Sequence, residues 1–145
     1  MSDRNKTPAR GRASFSAEER AAMKERATEQ QSSDGLTALR EKIAAFPDAE
    51  REIATRLHEI VMSVAPDLEP RTYYGMPAWA RAGKVLCFFQ NASKFKVRYH
   101  TLGFQDNARL DEGHFWPTAY ALTELTADVE AQIRALLTRA TSAAT

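Results

Sequence analysis

Thr72-Tyr73-Tyr74-Gly75-Met76-Pro77-Ala78-Trp79-Ala80-Arg81-Ala82-Gly83-Lys84-Val85-Leu86-Cys87-Phe88-Phe89-Gln90 is where the periodicity of the chain changes. Before it, large apolar residues recur every three or four positions. Within it they come in short runs, punctuated by glycine and proline. Thr72-Tyr73-Tyr74 reads as a short strand entering a bend at Gly75-Met76-Pro77, where glycine supplies unusual dihedrals and proline fixes the exit. Pro77 to Arg81 reads as a second, edge-like strand, because proline cannot donate to a ladder. Ala82-Gly83 turns the chain into Lys84 to Gln90, whose unbroken apolar run predicts a central strand covered on both faces. Strands joined by such short turns must be antiparallel.

On the downstream side, Asn91-Ala92-Ser93 is expected to be a turn. Residues 94–101 then read as a strand in which Phe95, Val97 and Tyr99 alternate with Lys94, Lys96, Arg98 and His100. A long polar connection over 103–117 leads to a last strand in 119–125. Thr126 caps a closing helix with Asp128 and Glu130 in its first turn and Val129, Ile133, Leu136 and Leu137 on its apolar face. On the upstream side, Leu36, Leu39, Ile43 and Phe46 mark one amphipathic helix, ended by Pro47-Asp48, which caps the next. Ile53, Leu57, Ile60, Val61 and Val64 mark that following helix, which Ala65-Pro66-Asp67 ends. The order predicts an α+β fold of two layers, with the N-terminal helices and a C-terminal helix packed on a small antiparallel sheet.

The first residues stand apart. Positions 1–14 carry four basic residues against one acid and read as a disordered basic tail. Positions 15–33 read as an extra N-terminal helix opened by the capping box Ser16-Ala17-Glu18-Glu19, with Met23 almost its only large apolar residue. The domain proper is expected over 34–145. At 145 residues, with 43% hydrophobic and 27% charged residues, the chain fits one ordinary domain. The longest apolar run, Val85 to Phe89, is far short of the roughly 18 residues that suggest a spanning helix, so no membrane partner is expected. Cys87 is the only cysteine, which excludes an intramolecular disulfide. With no secretory-type leader in the sequence, it points to a cytoplasmic protein. Its place in the apolar run predicts a buried structural thiol.

Net charge is +1, but charge is segregated. Residues 31–70 hold four basic and eight acidic residues, whereas 71–109 hold seven basic and one acidic. If Phe95, Val97 and Tyr99 face the helices, Lys94, Lys96, Arg98 and His100 form a cationic row on the opposite sheet face, suited to an acidic protein partner or a phosphate. Nucleic acid fits less well, because sheets that bind it usually add exposed aromatics. The three histidines, His58, His100 and His114, show no zinc-ligand spacing. Nucleophile elbow, phosphate loop and dinucleotide fingerprint are all missing from the sequence, which predicts a protein that is not an enzyme.

The segments Tyr74-Gly75-Met76-Pro77-Ala78-Trp79, Gly83-Lys84-Val85-Leu86 and Ala119-Tyr120-Ala121-Leu122, followed by Glu124-Leu125-Thr126, resemble the YdhG-like family of small bacterial domains of unknown function. The resemblance covers roughly 35–140, and Tyr-Gly-Met-Pro is its most specific part. It implies a compact α+β domain of frataxin-like fold, and one branch is described as an intracellular iron chaperone. Iron is thus the cofactor or cargo that the resemblance suggests. Its ligands would be Asp48, Glu52 and Glu59, acids on the exposed side of the second amphipathic helix, since hard cations favour carboxylate oxygen. Solvated charges paired with Arg51 and Arg56 are the plain alternative. The motif also suggests a ligand pocket lipped by Tyr73, Tyr74, Met76, Trp79 and Trp116. Two functions stay open: a YdhG-like binding domain that binds or delivers iron, and an interaction module docking an acidic partner or nucleic acid through a basic sheet face.

Overall fold

The structure, a computed structural model, describes residues 16–20 and 34–142. The chain divides into two units, Met1–Ser33 and Asp34–Thr145. The expected tail over 1–14 lies outside the described residues, as does most of the expected helix over 15–33. In the first unit residues 17–20 are helical. The capping box forms there: the Glu19 amide donates to Ser16 Oγ at 3.0 Å and the Ser16 amide to Glu19 Oε1 at 2.9 Å.

The second unit is α+β. Its described elements run α1 (Gly35–Ala44), α2 (Asp48–Val64), β1 (Glu69–Tyr73), β2 (Met76–Arg81), β3 (Lys84–Gln90), α3 (Ala92–Phe95), β4 (His100–Phe104), β5 (Ala119–Leu122) and α4 (Ala127–Ala140). The five strands form one antiparallel sheet in sequence order, β1-β2-β3-β4-β5.

Two tight turns set the register of the first three strands. Tyr74 and Gly75 (φ 50° and 77°) separate the flanking pair Tyr73↔Met76, and Ala82 and Gly83 (φ 53° and 80°) separate Arg81↔Lys84. Two consecutive positive φ values define a type I′ turn, whose twist matches that of the strands it joins. Glycine at the second position meets that demand without steric cost.

β2 is an inner strand, not the edge-like piece that Pro77 suggested. Pro77 stands opposite Thr72, one step beyond the flanking pair, where antiparallel partners exchange no hydrogen bonds. Pairing of β2 with β3 starts only at Ala78↔Phe88. The missing N–H therefore interrupts neither ladder. Farther along, Trp79 pairs with Cys87 and Ala80 with Val85, leaving Leu86 as an extra residue in a β-bulge.

The expected strand over 94–101 is also corrected. Residues Ala92–Phe95 form a single helical turn, Lys96 closes it in the left-handed region (φ 55°), and β4 begins only at His100. Alternation of apolar and charged residues satisfies a strand pattern equally well when the apolar members are exposed, as Phe95 and Val97 are. Gly103, expected in the following connection, lies inside β4, where the ring of Phe88 occupies the space a Cβ would need. β5 stops at Leu122 rather than at residue 125.

One core joins the three long helices to one sheet face. Leu39 and Ile43 of α1, Leu57, Ile60 and Val61 of α2, and Ile133 and Leu137 of α4 pack with Trp79, Cys87, Phe89, Leu102, Phe104 and Leu122. Thr126 caps α4 by accepting from the Val129 amide at 3.2 Å. Asp34 caps α1, accepting from the Thr37 amide at 3.1 Å and from the Thr37 hydroxyl. At α2 the cap position falls on Pro47 and no side chain caps the helix, so Asp48 is its first residue rather than its cap. Arg56 of α2 grips Glu130 of α4 with two parallel bonds of 2.9 Å, which fastens these helices across 74 positions of sequence. Cys87 is fully buried, and loss of hydration pushes its thiol up to about 12.

Helix α1 lies against β1 so closely that a Cβ on Gly35 would overlap the Pro70 carbonyl oxygen. Gly35→Ala, which ordinarily favours a helix by up to about 1 kcal/mol, should here destabilise the protein by about 1–3 kcal/mol through overpacking against backbone. Urea denaturation checks the sign.

Candidate functional site

The turn Tyr74-Gly75, the segment 91–99 and the end of α1 meet at one end of the sheet. The ammonium groups of Lys94 and Lys42 lie 3.1 and 3.7 Å from where a Cβ on Gly75 would sit. Around them Tyr74 is 66% exposed, Phe95 45% and Val97 49%. The Lys94 ammonium is 5.5 Å from the centre of the Phe95 ring, and the Arg98 guanidinium 5.2 Å from that of Tyr99. Lys94, Lys96 and Arg98 are all exposed, and 91–100 contains no acid. The result is a surface of cations and aromatic rings on loops held by a rigid scaffold.

Glu50 supplies that scaffold. It is buried at the start of α2 and accepts from Asn91 Nδ2 at 2.9 Å, the Ser93 amide at 2.9 Å and the Ser93 hydroxyl at 2.7 Å. Burial alone would raise its carboxyl, but the bonds from Asn91 and Ser93 outweigh that and hold it below the ordinary value. His100 belongs to this buried anchor, not to an outward row with Lys94, Lys96 and Arg98. Its Nδ1 accepts from the Ala92 amide at 2.9 Å, and Glu50 Oε2 is 4.0 Å away. Sequence reasoning missed Glu50, although the acid shares a helical stripe with Ala54, Leu57 and Val61, all buried.

The three acids of the metal expectation are separated in their contacts. Asp48 bonds Arg51 at 2.8 Å and Glu59 bonds Arg56 at 3.1 Å, while Glu52 is exposed. Among the described residues no three His, Cys, Asp or Glu side chains group where a metal ion could be held. Arg56 reaches Glu59 and Glu130 rather than Glu52.

Tyr73, Tyr74, Met76, Trp79 and Trp116 do not line one pocket. Trp79 is fully buried within the sheet, Met76 is buried and Tyr74 exposed. Trp116 packs on the core from the β4–β5 connection. Tyr73 alone of the five lines a cleft of about 370 Å³ shared with Arg71, Lys84, Val85 and Gln105, and its hydroxyl accepts from Gln105 Nε2 at 3.0 Å. In that cleft Lys84 is bound to Asp106 at 2.8 Å.

Trp79 reaches instead to a histidine that the sequence did not single out. Its indole N–H donates to His58 Nδ1 at 3.1 Å, with the two ring planes inclined by 21° and their centres 6.2 Å apart. Burial, and then the charge of Arg40, push His58 below the ordinary histidine value, with Glu59 opposing. Comparison with protein-family models, curated proteins and solved structures returned no match for this chain.

Because His58 binds a proton less readily when folded than when unfolded, folding stability should fall as pH drops through the unfolded histidine value of about 6.5. Protonation at Nδ1 also displaces the Trp79 N–H. His58→Gln should therefore flatten the dependence of Tm on pH below about 6.5; an equally steep profile would assign that slope to other groups.

Proposed function

We propose that this protein is a non-catalytic binding domain that docks an acidic protein segment on the surface formed by Lys42, Tyr74, Lys94, Phe95, Lys96 and Arg98. The observation that carries this reading is the convergence of Lys94 and Lys42 on Gly75 beside exposed Tyr74 and Phe95. Exposed aromatics supply contact area at low entropic cost, and the cations steer and orient a negatively charged chain. The cationic reading of 94–98 thus moves from a sheet face to the end of the sheet. Exposed Tyr74 and Phe95 beside these cations also offer what stacking of single-stranded bases needs, so nucleic acid is the competing occupant that the binding test below separates from an acidic protein.

The YdhG-like identity and a frataxin-like form of the α+β fold remain part of this proposal, carried by the Tyr74-Gly75-Met76-Pro77 motif and its role as a tight turn leading into an inner strand. A cytoplasmic setting fits a single cysteine that is buried in the core. Iron delivery rests on the resemblance alone.

The docking reading predicts that a fluorescent peptide of alternating glutamate and phenylalanine binds with strong salt dependence. The triple change Lys94→Glu, Lys96→Glu, Arg98→Glu should abolish the interaction, and Tyr74→Ala should weaken it by roughly tenfold. Unchanged binding after charge reversal would refute the surface, and binding of oligothymidine in preference to the peptide would assign it to nucleic acid. Ferrous iron titrated anaerobically into the same protein tests the metal reading separately. Stoichiometric heat lost on Asp48→Asn, Glu52→Gln, Glu59→Gln would establish iron binding, and no heat would remove it.

A further inference from the structure

A second cleft, of about 300 Å³, opens between α1 and α2 and is lined by Arg40, Ile43, Ala44, Arg51, Thr55, His58 and Glu59. Its volume is at the lower end of the range for small-molecule sites. The polar groups around it divide by occupation. Arg51 is engaged by Asp48 at 2.8 Å and by the Phe46 carbonyl at 3.3 Å, and Glu59 by Arg56 at 3.1 Å. Secondary to the hydrogen bonds from Thr37 at Asp34 and to burial at His58, the charge of Arg40 lowers the pKa of both, yet its guanidinium makes no hydrogen bond or ion pair among the described residues. The Thr55 hydroxyl likewise has no partner among them.

His58 adds a donor whose orientation is dictated from below. Since Nδ1 accepts the Trp79 indole proton, the neutral ring carries its own hydrogen on Nε2, at the edge turned from the tryptophan. The cleft is therefore lined by three residues whose side-chain donors have no protein acceptor among the described residues, Arg40 with a full positive charge, Thr55 and His58, beside an apolar wall of Ile43 and Ala44.

We propose that this cleft binds a small organic carboxylate, with its anionic head on Arg40, Thr55 and the His58 Nε2–H and its short apolar body against Ile43 and Ala44. A planar carboxylate matches the guanidinium fork. The apolar wall gives such a ligand an advantage over inorganic phosphate. Salt-bridged Glu59 also lines the cleft and disfavours a second negative charge, so a monoanion is the preferred class. This site is separate from the surface of Lys42, Tyr74, Lys94 and Phe95 and does not depend on the docking proposal.

Trp79 reports directly on His58. In the full chain carrying Trp116→Phe, Trp79 is the one remaining tryptophan. Titration with hexanoate or benzoate should then give a saturable change in its emission and a rise in Tm. Hexanamide, uncharged and of equal length, should give neither. Arg40→Gln, which breaks no bond among the described residues, should weaken carboxylate binding roughly tenfold or more while leaving Tm of the free protein unchanged. The proposal is overturned if neither carboxylate gives a saturable change, if hexanamide binds as well as hexanoate, or if Arg40→Gln binds like the parent. Inorganic phosphate binding as tightly as hexanoate would also overturn it, leaving a plain anion site.

Discussion

A tryptophan buried without any exposure at the middle of a sheet must find an acceptor for its indole N–H, because an unmade hydrogen bond there costs about 1–3 kcal/mol. Trp79 finds it on α2, at His58 Nδ1. Burial of the apolar stripe Leu57, Ile60 and Val61 carries α2 onto the sheet, and this bond fits only the rotation that brings His58 to Trp79 and fixes which nitrogen of His58 carries hydrogen. α1 and α4 then cover the remaining core, with α4 clamped to α2 by the forked Arg56–Glu130 pair. A mostly apolar core thus takes in a polar contact whose geometry constrains both of its partners.

Glu50 performs the corresponding task at the sheet end. The segment 91–99 has few apolar anchors, and Phe95 and Val97 point outward. A buried carboxylate taking three hydrogen bonds from Asn91 and Ser93 holds this segment against α2, and His100 secures the Ala92 amide from the other side. Three cations carried by 94–98 are therefore displayed on a fixed platform. Rigidity matters for recognition because a preordered surface loses less conformational entropy on binding. The same helix carries Glu50 at one end and His58 near its middle, so both candidate binding regions take their geometry from α2.

Several features were legible in the linear chain because they depend on neighbours in sequence. The stripes of α1, α2 and α4, the capping box at Ser16, the cap at Thr126 and the turn at Ala82-Gly83 are local consequences of residue type and spacing. The strand expected over 94–101 failed for a physical reason. Alternation reports which side chains could share a face, but only the surrounding structure says whether that face is covered. In this segment Glu50, 43 residues distant from Ser93, stabilises a helical turn instead. Pro77 misled in the opposite sense: its missing donor falls at a register position where nothing is lost, and register is a property of paired strands.

The sequence by itself determined the three long helices, the antiparallel hairpins of the first three strands, the burial of Cys87 and the separation of acidic from basic segments, since each follows from composition and short-range pattern. Only the tertiary structure decided which charges stand free and which are spent. Asp48 and Glu59 are taken by arginines, His100 is drawn into the interior, and His58 is oriented by a tryptophan 21 positions away. Lys42 and Lys94 meet over Gly75 although they lie far apart along the chain. Such relations arise from the packing of α1 and α2 on the sheet, because hydrogen bonds and ion pairs between distant residues exist only once burial has brought them together.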